Sequence, residues 1–208
     1  MSRAMVIVAA GMGSRFENDK MMTPVDGRPL VSITVERIRP HVSQCVLVCR
    51  ADQLDLISEL DLGVTVAVGG PTRTTSEIAG LKELRRKPEL IGVHDGARPN
   101  LTPPLIEELF QTARVVGGAV PVIEPSTMLV NSETLNPLDN AVAVQTPQVF
   151  RARELLDAYQ RAEAEGVVGH DTLEIVQKYT TLEVAAVEGS PTNIKVTYPT
   201  DLAQVIPL

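Results

Sequence analysis

The 208-residue sequence lacks net positive charge: 19 lysines and arginines stand against 26 aspartates and glutamates, and the net charge is −7. A chain of this charge is not expected to bind nucleic acid or an anionic membrane, although a local cluster of cations can still bind a nucleotide. No apolar run approaches the length of a membrane span, and the apolar start leads into a glycine turn without a cleavage site. We therefore expect a cytoplasmic protein with no membrane partner.

Cysteine is scarce, and its two occurrences do not predict a disulfide. Cys45 and Cys49 lie in one apolar run, where residues four apart face the same side of a strand but are too distant to bridge. Two reduced core thiols fit the cytoplasm. The chain also lacks repeats, low-complexity tracts and interdomain linkers. Its length can bury the core of an α/β domain, so we predict one domain over residues 1–208.

Strand-like and helix-like segments alternate along the chain. Thr74-Thr75-Ser76-Glu77 fits a capping box, and Thr102-Pro103 fits an N-cap followed by proline at the first helical position. The alternation predicts an α/β fold with a mostly parallel twisted sheet and helices on both faces. Apolar runs place the strands at Met5–Ala9, Cys45–Cys49, Val64–Val68, Leu90–His94, Gly118–Val122 and Leu182–Val187.

One stretch breaks this alternation. Residues 124–141 are polar, contain Pro125 and Pro137, and are too long for a simple connection between elements. We predict that they form a protruding arm.

The segment after the first strand has the composition of an anion site. Gly11 and Gly13 allow backbone N–H groups to approach an anion, while Arg15 and Lys20 add positive charge. The spacing matches neither the dinucleotide-binding fingerprint nor a P-loop, and it also fits a plain connection with a surface arginine.

Other predicted strands end in related chemistry, and ligands bind at the carboxyl ends of parallel strands. A second glycine turn carries Gly70, Arg73 and Ser76, and Asp95 follows the next strand. With Lys195 near the C-terminus, this set would hold a polyphosphate and one Mg²⁺, for which Asp95 is the candidate ligand. Each residue also has a purely structural interpretation. Asp95 could cap a turn, and Lys195 could be a strand residue whose ammonium reaches solvent. His94, beside Asp95, fits a buried core histidine.

Three motifs carry a family resemblance: Val93–Pro99 (VHDGARP), Gln145–Phe150 (QTPQVF) and Asn193–Leu202 (NIKVTYPTDL), in that order behind Ala9–Arg15 (AAGMGSR). Together they resemble the 2-C-methyl-D-erythritol 4-phosphate cytidylyltransferases, over nearly the whole chain. The wider group includes the ribitol-5-phosphate cytidylyltransferases. The resemblance implies a Rossmann-like nucleotidyltransferase fold, CTP as a substrate, Mg²⁺ and a homodimer held by the arm. It also implies transfer of CMP to a polyol phosphate, with release of pyrophosphate.

The resemblance implies a role for each candidate residue. Arg15, Lys20 and Lys195 would be catalytic, and Asp95 would bind Mg²⁺. Arg98 and Thr127 would bind the acceptor. His170 stands where the family usually has threonine; it is a further acceptor-binding candidate that would partly replace a missing cation, and it also fits a surface histidine at a helix start. The nucleotide would be bound by Ala9, Ala10, Gly11, Gly13, Gly70, Arg73, Ser76 and Asp95.

The arm departs from the family pattern, which has an arginine there. No lysine or arginine occurs between Arg114 and Arg151. Three alternatives to a methylerythritol phosphate enzyme therefore stay open. They are a cytidylyltransferase for another polyol phosphate such as ribitol 5-phosphate, a sugar-phosphate enzyme that uses UTP or GTP, and a catalytically weak paralogue that binds a nucleotide.

Overall fold

The computed structural model describes residues 2–11, 13, 16, 19–85 and 87–207. Strands and helices alternate through most of this part of the chain. The strands are β1 (Arg3–Val8), β2 (Pro24–Val25), β3 (Arg28–Pro29), β4 (Gln44–Cys49), β5 (Thr65–Val68), β6 (Leu90–Asp95), β7 (Gly118–Ile123), β8 (Ala143–Val144), β9 (Gln148–Arg151) and β10 (Val184–Glu188). The helices are α1 (Leu30–Ile38), α2 (Leu54–Glu59), α3 (Arg73–Lys82), α4 (Pro103–Val116), α5 (Ala152–Glu165) and α6 (Thr172–Tyr179).

Eight of the described strands form one sheet in the order β10-β7-β9-β6-β1-β4-β5, with β8 paired to β7. The neighbours β6, β1, β4 and β5 are parallel, as are β10 and β7, whereas β9 is antiparallel to both of its neighbours. The predicted α/β fold with a mostly parallel sheet is confirmed. All six predicted strands are present, with ends shifted by at most two residues.

The sheet is covered on both faces because side chains alternate along its strands. Met5 and Ile7 of β1 join one apolar core with α1, α2 and α4. Ala4 and Val6 join a second core with α3, α5 and α6. Cys45 and Cys49 are free thiols, as predicted, and both lie in the first core. Because both faces of the sheet are covered, the ends of its strands are the expected place for polar side chains to meet.

The N-cap of helix α3 lies two residues before Thr74, the N-cap that the capping box predicted, so that prediction was wrong in position. Thr72 is the N-cap: its Oγ1 accepts from the Thr75 amide at 3.1 Å, and Thr75 Oγ1 accepts from the Thr72 amide at 2.9 Å. Thr74 is buried and instead accepts from the Gly169 amide at 2.9 Å. The tertiary contact decides which of several neighbouring hydroxyls caps the helix.

Residues 124–141 leave the sheet between β7 and β8 as a hairpin. Leu138 donates from its amide to the Leu129 carbonyl at 2.9 Å, and Asn131 donates to the Asn136 carbonyl at the same distance. Every residue from 126 to 140 is exposed. None of the described helices has both the length and the apolar character that crossing a membrane requires.

Candidate functional site

A cleft of about 770 Å³ opens where β1, β4, β5 and β6 reach their carboxyl ends. Gly69 lets the loop after β5 approach the loop after β1, because a Cβ at this position would lie 2.5 Å from Ala10 Cβ. The lining residues include Ala9, Ala10, Gly11, Lys20, Arg50, Gly70, Arg73, Ser76, Asp95, His170 and Lys195.

Asp95 is the buried acid of the cleft, and three cations surround it. Its Oδ1 lies 2.7 Å from Arg73 Nη1, and its Oδ2 lies 2.9 Å from Lys195 Nζ and 3.5 Å from Arg98 Nε. The cations come from the start of α3, the turn after β6 and the C-terminal segment. We call these four residues the Asp95 cluster.

The Asp95 cluster keeps its acid ionised. Burial alone would raise the pKa of Asp95, but Arg73, Lys195 and Arg98 outweigh burial and hold that pKa well below its usual range. The three cations exceed the single carboxylate in charge, although the chain as a whole is acidic. An anion entering the cleft therefore meets local positive charge.

The C-terminal segment is held against the strand ends by hydrogen bonds to its backbone. Val196 donates from its amide to the Ala97 carbonyl at 2.8 Å, and Arg98 Nη1 donates to the Asn193 carbonyl at 2.7 Å. Lys20 Nζ donates to the Val196 carbonyl at 3.1 Å. These contacts bring Lys20 and Lys195, which are distant in sequence, to the same rim of the cleft.

His94 supports the Asp95 cluster from below. The Asp95 amide donates to Thr146 Oγ1 at 3.0 Å, so the Thr146 hydroxyl proton is available to His94 Nδ1, also at 3.0 Å. His94 Nε2 then carries the ring proton and donates to the Arg98 carbonyl at 3.1 Å. Burial lowers the pKa of His94 to about 4, so the ring is neutral at physiological pH. It is the hydrogen-bonded core histidine that the sequence suggested.

The structure brings most of the predicted site residues together. The cleft is lined by ten of them: Ala9, Ala10, Gly11, Lys20, Gly70, Arg73, Ser76, Asp95, His170 and Lys195. Arg98 is mostly buried and reaches Asp95 behind the lining. Gly13 lies beside Lys20, and a Cβ on it would be 3.5 Å from Lys20 Cβ. Thr127 lies in the arm and does not line the cleft. Arg15 is outside the residues that the structure describes.

Sequence reasoning missed two charged residues at the cleft. Arg50 directly follows β4 and lines the cleft, where it pairs with Asp52 at 2.8 Å and Asp19 at 3.5 Å. Its place after a strand was the signal that could have found it. Glu77 is buried beneath Arg73, and its Oε1 lies 2.9 Å from Arg73 Nε. The sequence predicted Glu77 only as the last residue of a capping box, which was wrong, and it carried no signal that this carboxylate is buried.

This arrangement can bind a polyphosphate and neutralise charge that develops on it. The part of the chain that the structure describes holds no group of three or more histidine, cysteine, aspartate or glutamate side chains that could cage a metal. A cation at Asp95 would therefore have to share its coordination with ligand oxygens and water, as Mg²⁺ commonly does at nucleotides.

Comparison with known proteins identifies relatives over nearly the full length. The family model "IspD: 2-C-methyl-D-erythritol 4-phosphate cytidylyltransferase" matches residues 3–206. A protein of that name from Aquifex aeolicus is 33% identical over 204 residues, which cover 96% of this chain and 94% of that protein. Another, from Desulforamulus reducens, is 37% identical over 216 residues, which cover 95% and 91%. The crystal structure of the Thermus thermophilus protein of that name superposes with a TM-score of 0.82 at 28% identity, covering 99% of this chain and 97% of that one.

The neutral state of His94 predicts a pH dependence of stability. Since folding depresses this pKa from about 6.5 to about 4, stability from His94 is complete above pH 6.5 and is lost as the pH falls towards 4. The loss amounts to about 3 kcal/mol. The difference in unfolding free energy between wild type and His94→Gln, from denaturant titrations, should shrink over this range. His41→Gln, at a partly exposed histidine, controls for histidine loss. A pH-independent difference would contradict the account.

Proposed function

Because the chain belongs to the 2-C-methyl-D-erythritol 4-phosphate cytidylyltransferase family, we propose that it transfers CMP from CTP to 2-C-methyl-D-erythritol 4-phosphate. The observation that carries this proposal is the Asp95 cluster, with its excess of cations at the carboxyl ends of the sheet. A phosphate oxygen of the acceptor attacks the α-phosphorus of CTP. The new P–O bond forms as the bond to the β-phosphate breaks, and pyrophosphate leaves.

The reaction joins two anions, so its main requirements are positioning and charge neutralisation. Lys20 and Lys195 lie on the rim where a triphosphate would enter. Lys195 can exchange partners because its side chain is 44% exposed, whereas Arg73 is fixed between two carboxylates. We propose that Lys195 moves from Asp95 to a phosphate oxygen when CTP binds. Arg15 is a further catalytic candidate from the sequence.

The small residues of the cleft offer a cradle for the cytosine and ribose. Ala9, Ala10, Gly69 and Gly70 give this side of the cleft a lining of small residues. Ser76 Oγ donates to the Gly70 carbonyl at 3.1 Å, which holds the turn against α3. We assign the base and ribose to this side of the cleft and the phosphates to the Lys20 side.

Mg²⁺ fits this site through Asp95. The carboxylate is held ionised, as a metal ligand must be, and the exposed Lys195 ammonium on Oδ2 can be displaced. We propose that Asp95 would hold the metal, and that the move of Lys195 to the nucleotide would leave the carboxylate free to do so. When bound, Mg²⁺ would neutralise charge on the phosphates. Arg73 stays on Oδ1 and keeps the carboxylate in place.

Acceptor binding must rely on groups outside the cation-free arm. A phosphomonoester carries close to two negative charges at neutral pH and needs cations or oriented N–H groups. Of the three acceptor candidates, His170 is the one that lines the cleft, and its side chain is exposed there. Its backbone amide donates to Glu174 Oε2 at 2.7 Å, which fixes the start of α6 near the cleft. We propose that His170 contacts the acceptor and that Arg98, which is largely buried beside Asp95, adds positive charge.

The arm offers a surface for a second copy of the chain. Met128 and Leu135 are 77% and 71% exposed, and further apolar side chains of the arm accompany them. Exposed apolar patches of this kind mark association surfaces. We propose a homodimer in which the arm of one copy packs on the other and carries Thr127 towards the acceptor.

The function is tested by measuring pyrophosphate release with CTP, UTP or GTP and with methylerythritol phosphate or ribitol 5-phosphate, across a Mg²⁺ titration. The pair CTP and methylerythritol phosphate should be preferred, and turnover should require Mg²⁺. Asp95→Asn should lower kcat by about a hundredfold or more, the scale of losing one electrostatic group at a reaction centre. Glu163→Gln, which removes a surface carboxylate paired with Lys82, should leave the rate unchanged.

Circular dichroism must show that Asp95→Asn is folded, because this change also leaves three cations without their shared partner. Normal turnover by a folded Asp95→Asn enzyme would remove Asp95 from the mechanism. Preference for ribitol 5-phosphate, or nucleotide binding without turnover, would replace the proposed function by one of its alternatives.

His170 should affect the acceptor and not the nucleotide. Truncation in His170→Ala should raise KM for methylerythritol phosphate by about tenfold, the cost of one hydrogen bond to a charged group. KM for CTP should change little. Steady-state kinetics with each substrate varied in turn separates the two constants. Gln160→Ala, at an exposed position of α5, is the control. Equal changes in both KM values would show that His170 does not select the acceptor.

The arm should control the oligomeric state. The double substitution Met128→Glu and Leu135→Glu places charge on the exposed apolar patch and should convert a dimer into a monomer. Size-exclusion chromatography with light scattering measures the mass directly. Val115→Glu is the matched control, because Val115 is 72% exposed but lies on α4, away from the arm. A wild-type monomer, or a dimer that survives both arm substitutions, would refute association through the arm.

A further inference from the structure

A buried carboxylate beneath the cleft has no part in the reaction described above. Glu77 lies in α3 one turn after Arg73, and it is 1% exposed. Ionised side chains are rarely buried unless their partners compensate for the lost hydration. Glu77 belongs to none of the family motifs recognised in the sequence, so its burial calls for a physical reason.

Three side chains from three helices meet the Glu77 carboxylate. Oε1 accepts from Arg73 Nε at 2.9 Å and from Thr172 Oγ1 at 3.1 Å. Oε2 accepts from the Tyr159 hydroxyl at 2.6 Å. Tyr159 belongs to α5 and Thr172 to α6, so Glu77 ties the start of α3 to both helices. We call these four residues the Glu77 network.

The donors of the Glu77 network favour an ionised Glu77 carboxylate. Burial raises the pKa of Glu77, and Arg73 opposes that rise. Burial and Glu77 together raise the pKa of Tyr159 well above its usual value, so the hydroxyl keeps its proton and donates it. A guanidinium and two hydroxyls thus serve a single acceptor, which is the pattern that an ionised carboxylate requires.

Arg73 is shared between two carboxylates, and each takes a different edge of the guanidinium. Arg73 Nε donates a hydrogen bond to Glu77 Oε1, and Arg73 Nη1 donates one to Asp95 Oδ1 at 2.7 Å. Nη2 is buried and has no hydrogen-bond partner among the residues that the structure describes. Arg73 also lines the cleft. These two hydrogen bonds hold the plane of the guanidinium in one orientation, which a flexible ammonium could not maintain.

We propose that Glu77 is a positioning residue for nucleotide binding. By holding the Nε edge of Arg73, it prevents the guanidinium from turning to form a two-bond pair with Asp95, and it leaves Asp95 Oδ2 to Lys195. Glu77 thereby sets the orientation of the Asp95 cluster without touching substrate. This inference rests on the proposed function in one respect: it takes CTP to be the ligand of the cleft.

The first test compares CTP affinity in Glu77→Gln and in two controls by isothermal titration calorimetry. Glutamine keeps the size of the side chain and removes its charge, so the charge-assisted bond that holds Arg73 Nε becomes a weaker neutral one, and the Kd for CTP should rise by about tenfold or more. Ile78→Ala destabilises the same helix from the core without touching Arg73, and Glu163→Gln removes a surface carboxylate. Both controls should bind CTP as the wild type does. Unchanged affinity in Glu77→Gln, or an equal loss in Ile78→Ala, would overturn the proposal.

The second test is a double-mutant cycle with Arg73→Met. If Glu77 acts through Arg73, Glu77→Gln should add no further loss of CTP affinity in the Arg73→Met background, although the two single variants each lose affinity. It should also recover unfolding temperature there, because it removes a buried carboxylate that has lost its cation. Additive losses of affinity would show that Glu77 acts by another route.

Failure of this proposal can be told apart from failure of the proposed function. If the wild type binds CTP but does not transfer CMP, the function fails while the affinity measurements still decide the role of Glu77. If the wild type does not bind CTP, both fail as stated. NMR of the Arg73 Nε–H group in the unliganded protein then reads the positioning itself. Slow hydrogen exchange in the wild type and fast exchange in Glu77→Gln are expected, and equal exchange would refute the contact.

Discussion

The Asp95 carboxylate and its surrounding cations are the interaction on which the site depends. Burying a carboxylate is costly unless cations compensate, and here Arg73, Lys195 and Arg98 provide that compensation. Each cation is supplied by a different segment. The pairing therefore fixes the start of α3, the turn after β6 and the C-terminal segment relative to one another.

The sheet makes this pairing possible. Four parallel strands with hydrophobic side chains on both faces leave their carboxyl ends as the place where polar groups can meet. His94 and Thr146 hold the Asp95 backbone from below, and Glu77 holds Arg73 from the side. The site is thus supported by neutral hydrogen bonds and by a second buried carboxylate. Lys195 remains the exposed and exchangeable member.

Sequence reasoning reached the fold and the main residues of the cleft because strand ends are readable. Apolar runs located the strands, and Asp95 stood directly after one of them. It did not find β9, which is only four residues long and follows Pro147, so its apolar run is too short to distinguish from a loop. It also misplaced the start of α3, where Thr72, Thr74, Thr75 and Ser76 are all capable of capping.

The contacts within the site could not be predicted in the same way. Lys195 lies one hundred positions after Asp95, and only the tertiary fold brings the two together. From sequence, Glu77 was assigned to the last position of a capping box, where its carboxylate would be exposed at the start of the helix. In the structure, Tyr159 and Thr172 donate hydrogen bonds to the buried Glu77 carboxylate, so it is an internal charge and not a surface one. The Arg15 assignment stays a prediction from the sequence.

The central claim is that CTP binds at the Asp95 cluster and that Lys195 leaves Asp95 to contact its phosphates. A crystal structure of the protein with CTP and Mg²⁺ tests it most directly. The account predicts that Lys195 Nζ, which lies 2.9 Å from Asp95 Oδ2 without the nucleotide, contacts a phosphate oxygen instead, while Arg73 stays between Glu77 and Asp95. A nucleotide bound outside this cleft, or a Lys195 side chain that stays on Asp95 while the nucleotide is bound, would contradict it.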